Sequence, residues 1–396
     1  MRCLWIIFAS LLVAACQPSA PAPLDEAGRA LVQASQQRAA SGDFQSALAL
    51  ADSAVTAYPQ SFEALVQLGN VNFMLDQYGR AEQAFSEALA FAPEDGGIWV
   101  NLGNAYFRQQ ELEQAREAFR TATRHLDTPN PWLALAEIQD RLNEPDSARA
   151  ALHTALRIDS TFVPARTRLA TLEETEGNLT VALAEATQAF SLAPSDVDVA
   201  YRLGTLHLKL GEAEAAAPLL SSVAQREPWN FSALFNLGQA MQRLGQAEDA
   251  QRILDRAAQV RDMASRVERL ETDSRARPDD LGLRLRHAEG LRSLGRLREA
   301  LSAYQVAAAS QPDDLRILHN IATLHLNLGD TTAARMDYET ILAEDSTYVD
   351  ALVNLAVYFN QQGKRPTARR YLQQAYRHGG PDHPALQRLQ ASVQAD

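Results

Sequence analysis

One pattern governs what this chain can fold into. From Gly28 to Val349, a set of small and bulky apolar residues returns at intervals of 34, 34, 33, 34, 34, 34, 50, 34 and 34 residues. The stretch WVNLGNAYFRQQELEQAREAFRTA, Trp99 to Ala122, shows one copy in full. Trp99, Leu102, Gly103 and Tyr106 fall on one stripe of a 3.6-residue helix and Ala115, Phe119 and Ala122 on another, with a polar turn near Gln109 to Glu111 between them. The stretch therefore predicts a helical hairpin whose apolar stripes face each other. Copies begin near Gly28, Phe62, Gly96, Pro129, Val163, Val197, Phe231, Leu281, Leu315 and Val349. A period of this length predicts an array of hairpins in place of the two or three globular domains that 396 residues would otherwise suggest.

Each recurring residue has a mechanical reason. Gly or Ala at the eighth position of a copy and Ala at the twentieth lack bulk, so paired helices can approach closely, while Phe85, Phe119, Tyr304 and Tyr338 fill the space between. Pro59, Pro93, Pro194, Pro228 and Pro312 end the second helices. Gly42, Gly177, Gly211, Gly245, Gly295, Gly329 and Gly363 suit the left-handed turn that closes the first helices. Three copies depart from the pattern. The fourth carries Asn143-Glu144-Pro145 at its central turn, Pro218 predicts a kink or late start in the second helix of the sixth, and Ser35 at the eighth position of the first suits an N-terminal cap.

The 50-residue interval is 16 longer than the rest. The apolar stripe Ile253, Leu254, Ala257, Val260, Met263, Val267 and Leu270 continues through it, which predicts a second helix overhanging by about 24 Å. Two readings follow: a spacer packed against the eighth copy, or a ridge for docking or self-association through Met263, Val267 and Leu270.

These residues resemble the tetratricopeptide repeat, whose signature W-x2-L-G-x2-Y, then A-x3-F and a closing Pro, is met at every apolar position by the third copy. The resemblance implies an all-α fold, a right-handed superhelical solenoid of about ten hairpins with a concave groove lined by first helices. Such a groove suits an extended peptide or a partner helix. With the apolar stripe of a first helix at positions 4, 7, 8 and 11, positions 2, 6, 9 and 13 are expected to face the groove. Position 6 reads Gln33, Gln67, Asn101, Ala134, Arg168, Arg202, Asn236, Arg286, Asn320 and Asn354, and nine of the ten can donate a hydrogen bond. Gln67, Asn101, Arg168, Arg202, Asn236, Arg286, Asn320 and Asn354 are accordingly the candidate partner-binding residues, since amides match a peptide backbone without selecting side chains. The asparagines are similar to the ladder in the tetratricopeptide superhelix of O-linked N-acetylglucosamine transferase. An alternative is that they bond a neighbouring helix, and that Arg168 and Arg202 pair with acids such as Glu173 or Glu174. The Lys and Asn set with which chaperone-binding relatives clamp a C-terminal carboxylate is met by no run of three copies.

The opening MRCLWIIFASLLVAACQPSAPAP, with one basic residue and an apolar run too short to span a bilayer, reads as a signal peptide over 1–15. Val13-Ala14-Ala15-Cys16 resembles a lipobox, which implies lipidation at Cys16 and, with Gln17 following, transfer to an outer membrane facing the periplasm. Ordinary cleavage after Ala15 is the alternative. A Pro/Ala-rich linker over 16–27 leads to copies one to seven (28–264), the helix extension (265–280), copies eight to ten (281–382) and a C-terminal capping helix and tail (383–396).

The formal charge of −12 disfavours nucleic acid as a partner, because that needs a concentrated basic face. The eight histidines show no metal-ligand spacing, with His207 and His325 expected in the core and His319 near the groove. No nucleophile triad, carboxylate pair or phosphate loop is present, so no catalytic residue, metal, cofactor or small-molecule substrate is expected. The expected role is a non-enzymatic scaffold or adaptor lipoprotein that binds protein partners or extended peptides at the cell envelope. A narrower version is an assembly factor for a pilus, secretion or cell-wall synthesis complex, and an enzyme with an unrecognised site is the reading from another class.

Overall fold

The structure, a computed structural model, describes residues 24–387. The expected signal peptide, Cys16 and most of the C-terminal tail lie outside these residues. Between Val199 and Ala200 the chain divides into two compact bodies. The first contains α1 (Glu26–Ala40), α2 (Phe44–Ala57), α3 (Phe62–Met74), α4 (Tyr78–Phe91), α5 (Gly96–Arg108), α6 (Leu112–His125), α7 (Pro129–Arg141), α8 (Pro145–Ile158), α9 (Val163–Thr175) and α10 (Leu179–Leu192). The division falls inside α11 (Val197–Lys209). The second body continues with α12 (Ala213–Arg226), α13 (Phe231–Arg243), α14 (Ala247–Ala276), α15 (Leu281–Leu294), α16 (Leu297–Ala308), α17 (Leu315–Asn327), α18 (Thr331–Glu344), α19 (Val349–Gln361) and α20 (Arg365–Gly379). A further helical turn at 384–387 buries Ala385 and Leu386 against Leu352, Val353 and Ala375.

First helices start at polar caps. Asp25, Ser61, Asp95, Asn230, Asp280 and Asp314 each accept a hydrogen bond from a first-turn backbone N–H, and α7 and α9 instead carry proline in the first turn. Every hairpin then reverses through one left-handed residue. The seven expected glycines hold positive φ, and Asp76 (58°), Gln110 (64°) and Asn143 (61°) take the same conformation where glycine is missing. The turn is thus fixed by the array, and of the three residues that replace glycine, Asp76 and Asn143 tolerate this conformation better than Gln110.

Each body is an all-α solenoid. Its helices pack on the next in sequence and, at α1–α3, α3–α5 and α7–α9, on the first helix of the adjoining hairpin. The smallest residues mark the closest approaches. A Cβ at Gly69 would stand 2.7 and 2.8 Å from carbons of the buried Phe85 ring, and one at Gly103 would meet Phe119 at 2.8 Å. Ser35 has no exposed surface. Its Oγ donates to the Ala47 carbonyl at 2.8 Å and accepts from Gln67 Nε2 at 2.9 Å, so this serine ties α1, α2 and α3 together.

The late start considered for the sixth hairpin does not occur. Helix α12 begins at Ala213 and runs through Pro218, because Ala216, Leu220 and Val223 are buried along it and hold the helix despite the hydrogen bond lost to the Glu214 carbonyl. The long interval becomes α14, a helix of 30 residues where other second helices have about 14. One face of its added half packs on the next hairpin: Val267 is 4% exposed and lies where a Cβ on Gly290 of α15 would fall 2.8 Å away, and Met263 joins the same core as Leu291 and Tyr304.

Candidate functional site

In the first body, the exposed edges of the first helices enclose a groove pocket of about 510 Å³. Val32 of α1, Val66 of α3 and Val100 of α5, each at position 5 of its hairpin, form the floor. Gln36 and Asn70, at position 9, line it, and Glu63 and Asp95 are its only charged lining residues. Both acids are engaged, Glu63 accepting from Ser61 Oγ at 2.8 Å and Asp95 capping α5. What remains is a strip of valine methyls flanked by amides: a surface that can desolvate an apolar side chain and hydrogen-bond the backbone carrying it.

Apart from His319, position 5 was not among the expected groove positions, yet the sequence carries the signal. Down the ten hairpins it reads Val32, Val66, Val100, Leu133, Thr167, Tyr201, Phe235, Leu285, His319 and Val353. A residue at this position on a free amphipathic helix has no core to enter, so a near-unbroken apolar row marks a second buried or bindable face. In the second body Phe235 is 48% exposed on α13, with Phe231 one turn earlier at 40%.

The position-6 residues behave differently. Gln67 and Asn101 do line the groove pocket, but their amide nitrogens reach back to the preceding hairpin, Gln67 to Ser35 and Asn101 Nδ2 to Asn70 Oδ1 at 3.3 Å. Arg168 Nη2 meets Asp140 Oδ2 of the preceding hairpin at 2.7 Å, so its partner is neither Glu173 nor Glu174; those sit further along its own helix, whereas Asp140 lies across the stack. Asn236 Nδ2 lies 3.4 Å from the Tyr201 hydroxyl, again one hairpin back. Arg202 also has an interaction partner, Arg286 is exposed, and Asn320 and Asn354 are half-buried. At position 13, three arginines likewise strap the preceding hairpin. Arg108 stacks 4.5 Å from the Tyr78 ring centre, Arg141 lies 4.6 Å from that of Phe107, and Arg243 donates to the Leu208 carbonyl.

Glu173 belongs to another cross-stack tie. Arg149 Nε reaches it at 2.5 Å and Asn178 Nδ2 at 2.7 Å, with its side chain 5% exposed. Burial alone would raise this carboxyl; the two hydrogen bonds outweigh it and hold it below the usual value. His207 and His325 are mostly buried and pair with Glu212 and Asp337, both at 2.6 Å. His319 sits between the Tyr338 and Tyr348 rings. Burial pushes the Tyr338 hydroxyl up to about 12. Among the described residues no group of three His, Cys, Asp or Glu could hold a metal ion, and no helix is long and apolar enough to cross a membrane.

Among proteins of known sequence, the chain is similar over 124 residues to the general transcriptional corepressor trfA of Dictyostelium discoideum, at 28% identity. That span is 31% of this chain, and the chain covers 9% of the corepressor's length. Similar solved structures include PilF of Pseudomonas aeruginosa, 18% identical, covering 52% of this chain and 93% of that one with a TM-score of 0.46. PilW, a type IV pilus biogenesis factor, is 19% identical over 52% of this chain and 96% of its own, with a TM-score of 0.48. YrrB, a repeat protein with an unusual peptide-binding site, is 19% identical over 46% of this chain and 95% of its own, with a TM-score of 0.39. A model of the coatomer epsilon subunit matches residues 289–395. Two tetratricopeptide repeat models match residues 72–138 with 210–273 and 32–96 with 167–233, together more than half of the chain. With the hairpin array, its left-handed turns and the small-residue contacts at Gly69 and Gly103, these matches make the chain a member of the tetratricopeptide repeat family.

Proposed function

We propose that this protein is a scaffold whose first body holds an extended, apolar segment of a protein partner in the groove over Val32, Val66 and Val100, and that the chain is tethered to the envelope through a lipidated Cys16. The valine row supports the first part: three β-branched methyl pairs at one hairpin spacing form an apolar strip with amides alongside, suited to a peptide in extended form. The Val13-Ala14-Ala15-Cys16 sequence supports the tether, and the reading that follows from it, with Gln17 next in the chain, is a groove on the periplasmic side of an outer membrane.

A photo-crosslinking residue at Asn70 in intact cells tests the groove. Capture of a discrete partner there, lost when Val66 and Val100 are both changed to Asp, is the expected outcome; crosslinking that persists in the double variant refutes it. Capture of one secretin or cell-wall synthase would narrow the role to an assembly factor. Labelling with a radioactive fatty acid tests the tether, since Cys16→Ser should abolish incorporation and release the protein from membranes.

A further inference from the structure

A second pocket, in the other body, has the opposite chemistry. About 590 Å³ in volume, it opens between the last turns of α14, the face of α15 that carries Arg284, His287 and Leu291, and α16. It exists because α14 is 30 residues long: Glu271, Ser274 and Arg275, which form its wall, all lie in the added half. Arg284 and His287 come from α15, Arg296 from the turn, and Glu299 and Val306 from α16. Three arginines face two glutamates, in a chain whose formal charge is −12.

The pairing inside the pocket leaves one cation differently placed. Arg275 is held by Glu271 at 2.6 Å, and Arg296 by Glu299 through its Nε at 2.7 Å. Arg284 instead donates from Nη1 to the neutral Ser310 hydroxyl at 2.5 Å, and no carboxylate of the described residues lies within ion-pair distance. Beside it the wall is apolar. Leu291 and Ala303 form its base and Val306, 58% exposed, its lip. A guanidinium fork without a carboxylate next to an uncovered aliphatic side chain fits a ligand that carries an oxyanion beside an apolar group.

We propose that this pocket binds an acidic peptide segment of a partner protein, with a carboxylate on the Arg284 guanidinium and an adjacent aliphatic side chain on Leu291 and Val306. The site is separate from the groove of the first body and does not depend on the reading given to it. A peptide is favoured over a small oxyanion because the pocket is wide, its apolar lip is open, and the single uncompensated charge suits one carboxylate at a time. His287 provides an internal reporter. Burial lowers its pKa, with Arg275 and Arg296 acting in the same direction and Glu271 and Glu299 against them. A carboxylate arriving on Arg284, three residues away on the same helix face, would raise the pKa again.

The experiment uses the full chain and the end-blocked peptide acetyl-Leu-Asp-Leu-Glu-Leu-amide, labelled for fluorescence anisotropy, with the Asn/Gln version as control and inorganic phosphate as competitor. The acidic peptide is expected to bind, with Arg284→Gln weakening it by about ten- to a hundredfold, the loss of one charge-assisted contact. Arg284→Lys should lose less, and Val66→Asp in the groove should change nothing. Binding should also raise the pKa of His287 read by NMR. Three results would each overturn the proposal: no binding, equal binding of the Asn/Gln peptide, or indifference to Arg284→Gln in a variant with unchanged helical content. Phosphate displacing the peptide and itself binding with the same dependence on Arg284 would reassign the pocket to free oxyanions.

Discussion

Replacing Gly69 by Ala tests the packing on which every hairpin depends. The added methyl must enter space held by the Phe85 ring, whose carbons stand 2.7 and 2.8 Å from the new Cβ, and Phe85 is only 1% exposed. Overpacking of this kind costs about 1–3 kcal/mol. Alanine returns about 0.8–1 kcal/mol through its better helix propensity, leaving a net loss near 1 kcal/mol. Phe85→Leu alone should cost about 1–2 kcal/mol through the cavity it opens. The double variant recreates the pair Ala136 and Leu152 already packed in the fourth hairpin, so it should recover roughly 1 kcal/mol relative to the sum of the singles. Tyr304 and Tyr338 stand buried opposite Ala288 and Ala322, so a ring can coexist with alanine where the hairpin is set for it; the cost at Gly69 is that of displacing a ring already packed. Because stacked repeats open locally, amide hydrogen exchange of α3 and α4 in the full chain is the assay, and 1 kcal/mol speeds exchange there about fivefold. Unchanged protection in Gly69→Ala, or a double variant no better than the sum of its parts, would refute the close-approach account.

Three further outcomes follow from the same geometry. Gln110→Gly should stabilise the third hairpin by about 1 kcal/mol, since φ there is 64°, while Gly177→Ala, at 82°, should cost a similar amount; thermal unfolding of the two variants in opposite directions is the check. Glu173→Gln should destabilise the first body by about 1–3 kcal/mol at neutral pH, by stripping Arg149 and Asn178 of a buried charged partner. Its pH profile has a definite sign. The folded carboxyl titrates below its ordinary 4.5, so its stabilising effect is present above that value and lost as pH falls through the folded pKa. Urea unfolding between pH 6 and pH 3 should therefore fall more steeply for the parent protein than for the variant. Val267→Ala should cost about 1.5–3 kcal/mol, with hydrogen exchange rising in α15 as well as α14; an effect confined to α14 would mean that the added half does not support the next hairpin.

Most of the fold was legible because the repeat turns a long-range problem into a local one. Once Leu102, Gly103, Ala115 and Phe119 are placed on facing stripes, each later copy needs only the same four sizes at the same offsets. Even the insertion could be read, since the stripe through Ile253, Ala257, Val260 and Val267 never breaks phase; what it packs against could not, because Gly290 sits at an offset no other hairpin uses. Pro218 does not delay its helix, because the local rule meets a helix already fixed by the buried Ala216, Leu220 and Val223.

Expected positions 2, 6 and 9 do line the groove pocket, through Glu63, Gln67, Asn101, Gln36 and Asn70, but position 5 joins them and position 6 is shared with the stack, for a geometric reason. A wheel drawn for a single helix recognises one buried face and assigns the opposite side to the ligand. In a stacked array a first helix has its own second helix on one side and the preceding hairpin on another, so the polar face is divided between a neighbour and the groove. Position 6 falls at the boundary of the two, so Gln67 and Asn101 line the groove pocket while their amides reach the preceding hairpin. That is what Gln67 to Ser35, Arg168 to Asp140 and Asn236 to Tyr201 record: polar side chains used as ties between hairpins. The position-5 residues are shared in the same way: Val32, Val66, Val100, Leu133, Leu285 and Val353 all pack against hairpin cores, and Val32, Val66 and Val100 also line the groove pocket. Where that row stays open beyond what the stack covers, as at the half-buried Val66 and Val100 and the exposed Phe235, it leaves apolar surface for a partner, and there binding can be read.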